Sequence, residues 1–458
     1  MYKKQERILK EMEQVRASGL EGRNIAFLTL GCKVNSYETE AMQALVAAAG
    51  AVLVDFGQAA DIYIVNTCSV TNMADRKSRQ MLHRAKKRNP EALVVAAGCY
   101  AQTASEEAMK AEGIDLIIGN NQKKEIVPLL ERCLEGVKNK RLDIGEESEY
   151  EELKLATKLF HTRAYIKIQD GCNQFCSYCI IPYARGRIRS RAEEDVISEV
   201  RSLADAGYQE IVLTGIHLSS YGQPAKEGEQ PLLSLIQKLN EIKEIRRIRL
   251  GSLEPRIITE NFVKTLSSCE QVCPHFHLSL QSGSDTVLKR MNRKYTAEEY
   301  LECVRLLRHF YNEPAITTDI IVGFPQETDE EFEETLVFAE TVAFSKIHVF
   351  KYSRRKGTAA DKMSGQVTEQ KKTERSERLL ALERRLGEAY RSRFIGTAQE
   401  VLFEEHTHLL GEDFQTGYTE RYIRMAVQEK KELSGKLLPV HVLSEPEEGE
   451  LLLCALQQ

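Results

Sequence analysis

No stretch of this sequence approaches the roughly 20 consecutive apolar residues that a membrane-crossing helix needs, so no membrane partner is expected. The polar start, Met1 to Arg16, also lacks the apolar centre of a secretory signal, and the expected location is cytoplasmic. Tryptophan is absent. Charge of one sign is missing too: 63 Lys and Arg against 68 Asp and Glu leave a net charge of −5. With no global basic field and no DNA partner expected, any contact with RNA must rest on local patches. Eleven cysteines in 458 residues are too sparse for a disulfide scaffold, and an odd count cannot pair completely. That usage fits a reducing compartment in which thiolates stay free to bind metal. The length suggests about three domains.

The cysteines that are present fall into patterns. Cys172 to Cys179 is a C-x3-C-x2-C run, with Tyr178 before its last cysteine, directly after the strand-like segment Ala164 to Ile168. Three thiolates leave one iron of a four-iron cluster open to an outside ligand, whereas a structural zinc or an electron-carrying cluster would want a fourth protein ligand. Zinc and simple core packing are the alternatives. Earlier, three short apolar runs each lead to a cysteine: Ile25 to Leu30 to Cys32, Ile62 to Val65 to Cys68, and Leu93 to Ala97 to Cys99. Helix-like stretches, Glu38 to Ala49 and Ala74 to Arg88, separate them, so the order is strand, helix, strand, helix, strand. This predicts a parallel α/β sheet with all three cysteines outside the carboxyl ends of its strands, where ligands bind. One metal centre could join them; three small buried hydrophobes at strand ends are the other reading.

Together these segments resemble the radical S-adenosylmethionine (SAM) methylthiotransferases. The resemblance runs from about Asn24 to the C-terminus. It is carried by Leu30 to Glu40, Asn66 to Thr71, Gly98 to Gln102, Asp170 to Asn173 onward through Pro182 to Gly186, His277 to Asp285 and Asp319 to Pro325. It implies that Cys32, Cys68 and Cys99 hold an auxiliary 4Fe-4S cluster, and that Cys172, Cys176 and Cys179 hold the SAM-binding 4Fe-4S cluster. Two departures stand out: Gln326 occupies a position where the family often has glycine, and residues 1–23 form an extension without an assigned role.

The expected architecture is an α/β chain in three parts: an N-terminal cluster-binding domain over residues 24–140, a radical SAM domain over 158–390, and a small C-terminal antiparallel β-barrel over 391–458. Apolar runs at Ala164–Ile168, Ile211–Leu213, Ile248–Leu250, Phe276–Leu280, Ile316–Val322 and Ile347–Phe350 alternate with helical patterns, as in a partial (β/α)6 barrel. Active sites of such barrels lie at the carboxyl ends of the strands. Gly215, Ser252, Glu254 and Gln281 are therefore candidates for the SAM pocket. Glu135 to Lys158 reads as a linker. Leu379, Leu382, Leu386, Tyr390 and Phe394 recur at helical spacing and predict a helix packed by one face. The tail resembles a TRAM domain, a module associated with RNA binding.

Candidate RNA contacts are Arg84, Lys86 and Lys87 on a basic helix, with Arg421 and Arg424 in the tail, where Lys430 and Lys431 add to the patch. The row Arg185, Arg187, Arg189 and Arg191 is a further basic cluster. The tail itself carries seven Lys or Arg against twelve Asp or Glu from Arg391 onward, so any patch there is local. Cys133, Cys269, Cys273, Cys303 and Cys454 are read as structural.

By resemblance, the activity is replacement of a carbon-bound hydrogen by a methylthio group through a radical, with two SAM molecules consumed, cluster-borne sulfur, and a low-potential electron donor such as flavodoxin or ferredoxin. Catalytic side chains beyond the cluster ligands are not identified. Leu30 to Asn35 followed by Tyr37-Glu38 resembles the bacterial type that acts on threonylcarbamoyladenosine at position 37 of tRNA. Relatives that act on isopentenyladenosine in tRNA or on a ribosomal-protein aspartate define the alternatives, and a non-catalytic iron-sulfur RNA-binding protein is the alternative of another class.

Overall fold

Every residue of Ile62–Thr67 is buried, as required of a strand covered on both faces in a parallel sheet. In the computed structural model that strand is the centre of five. The structure describes residues 19–105, 108–109, 112–137, 144, 149–153, 162–226, 228–409, 411–446 and 450–457. Residues 1–18 of the extension, and most of the linker read at Glu135 to Lys158, lie outside these. The chain forms two units, one comprising Met1–Ala156 and Ile180–Arg187, the other Thr157–Cys179 and Ile188–Gln458.

The first unit contains β1 (Asn24–Thr29), α1 (Lys33–Ala48), β2 (Val52–Val54), β3 (Ile62–Thr67), α2 (Asn72–Arg88), β4 (Leu93–Ala97), α3 (Gly98–Thr103), β5 (Leu116–Ile118), α4 (Ile126–Leu134) and α5 (Ile181–Arg185). Its sheet is parallel with order β2-β1-β3-β4-β5. The direction of winding reverses between β1 and β3, the switch point at which ligands of such sheets bind. The three expected strands are β1, β3 and β4; β2 and β5 are too short to announce themselves by periodicity. One apolar layer joins Leu20, Ile25, Met42, Val46, Ile64 and Leu130. Leu20 is fully buried there, so the last residues of the N-terminal extension belong to this core.

The second unit opens with β6 (Ala164–Asp170), β7 (Arg189–Ser190), α6 (Glu193–Asp205), β8 (Glu210–Gly215), α7 (Pro231–Leu239), β9 (Arg247–Leu250), α8 (Glu260–Ser267), β10 (His275–His277), α9 (Asp285–Arg290), α10 (Ala297–Phe310), β11 (Ala315–Val322), α11 (Asp329–Val342), β12 (Lys346–Lys351) and α12 (Glu369–Arg391). The six expected strands are all present and parallel, in ladders β6-β8-β9 and β10-β11-β12 that meet through the bridges Ile248 to Val272 and Leu253 to Leu278. β7 adds an antiparallel edge that two residues could not signal in sequence. Helices α10 and α11 start on capping boxes, Thr296 with Glu299 and Thr328 with Glu331, which satisfy otherwise orphaned amides. Gln326, the departure from family glycine, sits at φ 65°. A left-handed backbone is one that glycine takes without strain, and here the Gln326 amide is held by the Gly365 carbonyl at 2.8 Å.

The tail is a closed barrel of β13 (Ala398–Leu409), β14 (Glu412–Thr419), β15 (Arg424–Val427), β17 (Leu452–Leu456) and β16 (Leu437–Ser444). It is antiparallel except where β15 runs parallel to β17. Val401, Phe403, Met425, Val440, Val442 and Leu452 fill it, joined by Tyr390 and Phe394 from the end of the preceding helix. The barrel does not separate at residue 391 as a unit of its own, because the amino ends of the parallel strands grip it. Buried Arg249 donates to Glu210 Oε1 at 2.8 Å and to the Glu420 and Thr419 carbonyls, and Arg247 donates to the Tyr418 and Glu400 carbonyls. The Arg163 guanidinium lies over the Tyr418 and Tyr422 rings. Burial alone would raise the Glu210 carboxyl, but Arg249, Arg163 and Arg247 together hold it below the usual carboxylate range.

Candidate metal centres

The three early cysteines follow three neighbouring strands: Cys32 is the residue before α1, Cys68 follows β3, and Cys99 lies in α3 directly after β4. Two glycines let them converge. Gly31 has φ 106°, and a Cβ on it would stand 2.9 Å from Cys68 Cβ and 3.0 Å from Cys68 Sγ; Gly98 has φ 87°, and its Cβ would collide with Asn66 Oδ1 and stand 2.7 Å from the Thr67 carbonyl oxygen. Both positions therefore exclude any side chain, for conformation and for space. Burial pushes the Cys68 thiol up to about 11, and Cys99 and Cys32 add to that rise. Cys32 reaches solvent at its surface, yet the protein packed around it pushes its thiol up while Arg185 pulls it back. The cradle fits a cluster held by three sulfurs and a wall of backbone.

The second set is local. Cys172 is buried and Cys176 and Cys179 half-buried in the loop after β6, which bends at Gly171 with φ 70° and Phe175 with φ 50°. Neighbouring residues strap this loop. Asn292 Nδ2 donates to the Phe175 carbonyl at 3.0 Å, Ser177 donates its amide to the Met291 carbonyl and its hydroxyl to the Arg290 carbonyl, and Ala360 donates to the Ser177 carbonyl at 2.7 Å. Arg293 Nη1 donates to Cys176 Sγ at 3.2 Å. Burial pushes Cys172 up to about 11, against the Gln174 amide, which donates to its sulfur at 3.5 Å.

The four SAM-pocket candidates all fall at the carboxyl ends of β8, β9 and β10. Gly215 ends β8, and a Cβ there would meet Gln169 Cβ and Oε1 at 3.0 Å. Ser252 is exposed. Glu254 accepts from Gln174 Nε2 in the cysteine loop at 3.3 Å and from Arg256, with His217 Nε2 3.3 Å away. Burial alone would raise its carboxyl, but the His217 and Arg256 interactions hold it down to about 2. Gln281 has φ 77° and extends the β10–β11 pairing, its amide donating to the Asp319 carbonyl and its carbonyl accepting from Ile321. A non-glycine residue in this region is strained, and the strain is held at the carboxyl end of the sheet.

The basic surfaces need redrawing. Arg84 and Lys87 are exposed on α2, but Lys86 Nζ is engaged by the Ala92 carbonyl at 3.1 Å and by Asp115 at 3.3 Å. Arg421 spends its guanidinium on the Glu313 and Asn312 carbonyls and on Glu420, and Arg424 on Glu405. Lys430 and Lys431 are exposed. The row after the second cysteine set is not a surface patch: Arg185, Arg189 and Arg191 are buried against Glu38, Asp170 and Glu199, leaving only Arg187 exposed. The alternation of charge with apolar or glycine residues disguised buried cations as an exposed run. All eleven cysteines are free, and Cys269, Cys273, Cys303 and Cys454 are buried.

Sequence reasoning passed over Arg293, which no spacing rule connects to Cys176, and a polar group on the last three strands. His277, Asp319 and His348 place their ligand atoms within 4.8 Å of one another, and His277 Nδ1 pairs with Thr317 Oγ1 at 3.0 Å. Two of them lay inside quoted motifs, and their parallel register is what joins them. Among the described residues no helix is long and apolar enough to cross a membrane.

Residues 24–119 match the family described as uncharacterized protein family UPF0004, and residues 166–339 match the radical SAM superfamily. The chain is 42% identical, over 92% of its length and 93% of the relative's, to the threonylcarbamoyladenosine tRNA methylthiotransferase MtaB of Bacillus subtilis. It is 39% identical to the protein of that name from Aquifex aeolicus, over 91% and 99% of the two chains. The tRNA-2-methylthio-N(6)-dimethylallyladenosine synthase of Thermodesulfovibrio yellowstonii is 37% identical over 87% and 91%. Among solved structures, the radical SAM methyltransferase TsrM from Kitasatospora setae, with cobalamin and a [4Fe-4S] cluster bound, shares the fold at a TM-score of 0.56 and 16% identity, covering 74% of this chain and 77% of that one. Two converging cysteine triads on two parallel sheets, in a chain this similar along nearly its whole length to enzymes of one kind, place it in the radical SAM methylthiotransferase family, whose members use SAM and 4Fe-4S clusters.

Proposed function

We propose that this enzyme methylthiolates carbon 2 of N6-threonylcarbamoyladenosine at position 37 of tRNA, with two SAM molecules and cluster-borne sulfur consumed. The observation that carries this reading is the coexistence of two three-cysteine sets, each outside the carboxyl ends of its own parallel sheet. A single set would serve SAM cleavage alone. In this reading Cys172, Cys176 and Cys179 hold the SAM-binding cluster, and Cys32, Cys68 and Cys99 the auxiliary one. When bound, SAM and the clusters supply one-electron cleavage and a transferable sulfur, chemistry that reaches an aromatic carbon-hydrogen bond where acid-base catalysis does not. The chain's own residues orient and shield. Asn292 and Ser177 fix the cysteine loop, Arg293 donates to the Cys176 sulfur and so orients it, and Glu254, ionised far below neutral pH, offers a fixed negative charge to the cationic cofactor. Gly215, Ser252 and Gln281 line the same strand ends. The electron comes from a low-potential carrier of the flavodoxin or ferredoxin class.

The threonylcarbamoyl substrate is supported by the names of the Bacillus and Aquifex relatives and by the first cysteine box; the dimethylallyl substrate is the second reading, supported by the Thermodesulfovibrio relative. Nucleoside mass spectrometry of tRNA from a host lacking the gene, with and without the chain restored, separates them. The methylthio derivative of threonylcarbamoyladenosine is expected only on restoration. A methylthio-dimethylallyl product would move the substrate and keep the chemistry, and absence of both, with the protein expressed and iron-loaded, would overturn the tRNA assignment.

A further inference from the structure

Strands β10, β11 and β12 have two faces of opposite character. Phe276, Ile316, Ile320 and Ile347 lie on one and are buried. Side chains alternate along a strand, so the parallel register, His277 opposite Thr317 and Asp319 opposite His348, sets those four residues together on the other. There the ligand atoms of His277, Asp319 and His348 lie within 4.8 Å of one another. Thr317 Oγ1 pairs with His277 Nδ1 at 3.0 Å and fixes that ring, with Nε2 standing 3.4 Å from Asp319 Oδ2. The centroids of the His277 and His348 rings are 5.8 Å apart. The His277 and Asp319 side chains are 14% and 33% exposed and His348 is exposed, so the group opens to solvent on the β12 side. Lys346 shares this face, but its Nζ is engaged by Glu383 at 3.0 Å and by Glu450.

The His277–Asp319 approach is too long for a good hydrogen bond. It matches two donors on one tetrahedral ion, since ligands about 2.0–2.1 Å from the metal stand about 3.3 Å from each other. We propose that His277, Asp319 and His348 form a binding site for a divalent first-row cation of the zinc class, made of residues that neither cysteine set uses. Two imidazoles and a carboxylate suit Zn²⁺, Co²⁺ or Ni²⁺, whereas Mg²⁺ and Ca²⁺ ask for oxygen ligands throughout. In the metal-bound form His277 ligates through Nε2 and donates Nδ1–H to Thr317, the outer hydrogen bond that orients a ligating imidazole. His277 and Asp319, on neighbouring strands, are the fixed half of the site. His348, exposed and with other partners that include Glu450, closes it by turning its side chain, so the ion competes for that ring. Three protein ligands leave a fourth position for water or an exchangeable oxygen ligand.

The test uses the full chain without an affinity tag, iron-loaded anaerobically so that the cysteine sets are occupied, then equilibrated with Zn²⁺ and freed of loosely held metal by gel filtration. Elemental analysis is expected to find one zinc per chain beside the iron. Zinc-edge X-ray absorption should show nitrogen and oxygen neighbours at about 2.0–2.1 Å and no sulfur at about 2.3 Å. His277→Gln and Asp319→Asn should each lose this zinc and keep their iron. Thr317→Val, which removes only the outer hydrogen bond, should weaken zinc about tenfold in competition with a chromogenic chelator, and His348→Gln at least as much. Zinc retained undiminished by His277→Gln and Asp319→Asn would overturn the proposal, as would sulfur neighbours at the zinc edge or no zinc held by the parent. The absorption spectrum of the parent decides the matter even where a variant fails to fold.

Discussion

The two cysteine triads each gather three thiols, by opposite routes. Cys172, Cys176 and Cys179 lie within eight residues, and their loop gets its shape from side chains that strap it: Asn292, Ser177 and Arg293. Cys32, Cys68 and Cys99 are brought together only by the order of strands β1, β3 and β4, with glycines where a Cβ would collide and with buried ions at their back. A local site depends on its straps. A site assembled from distant strands depends on the whole sheet, so it tolerates little change in backbone and can place buried charge with precision that a surface loop does not offer.

The sharpest break between the triads comes from removing their ligands. Replacing Cys172, Cys176 or Cys179 by Ala is expected to reduce SAM cleavage to background, whereas replacing Cys32, Cys68 or Cys99 should spare cleavage and abolish methylthio product. Assays of 5′-deoxyadenosine and of modified nucleoside on the same preparations check this, and equal loss of both products in all six folded variants would merge the two roles. Next in size is Gly98→Ala. Its Cβ would press on Asn66 Oδ1 and on the Thr67 carbonyl oxygen with φ at 87°, and a cost of about 3 kcal/mol is expected from steric conflict and left-handed strain together. Denaturant unfolding and iron counts should show loss from the first triad and none from the second.

Glu254 sharpens the comparison on the side of the local loop. Its carboxyl is held at about 2, below the ordinary 4.5, so its stabilising contribution is complete above pH 4.5 and fades as pH falls toward 2. At neutral pH the contribution is about 3 kcal/mol. The stability gap between the parent and Glu254→Gln should therefore stay constant from pH 8 to pH 5 and begin to close below it; a gap that varied across the neutral range would overturn this expectation. The smallest effect is expected on α2. Charge reversal at Arg84 and Lys87 should weaken tRNA binding at moderate salt and flatten its salt dependence by about one unit of slope for each phosphate no longer neutralised. Reversal at Lys86, already paired with Asp115, should do less.

The local triad was legible as a set because its spacing is short; for the dispersed cysteines the apolar runs showed only their place at strand ends of a parallel sheet, and their joining into one centre came from the family resemblance. The six strands of the second unit were legible for the same reason of periodicity. Side-chain commitments were not. Nothing in the spacing of Arg185, Arg189 and Arg191 shows that each has a buried carboxylate waiting, and nothing around Arg421 announces two carbonyls from the α10–β11 turn. Such partners lie far apart in sequence and become neighbours only through the fold. β2, β5 and β7, with two or three residues each, fall below the length at which alternation can be read.

The barrel of β13 to β17 is clamped to the amino ends of β6, β8 and β9, while Cys172, Glu254 and Gln281 occupy the carboxyl side of the same sheet. Strands of six or seven residues put about 20 Å between those ends. The second unit is thus a calliper with fixed jaws. Under the proposed function, an RNA that met both the barrel and the cysteine loop would have to span that length, so the sheet itself would set the smallest RNA able to use both.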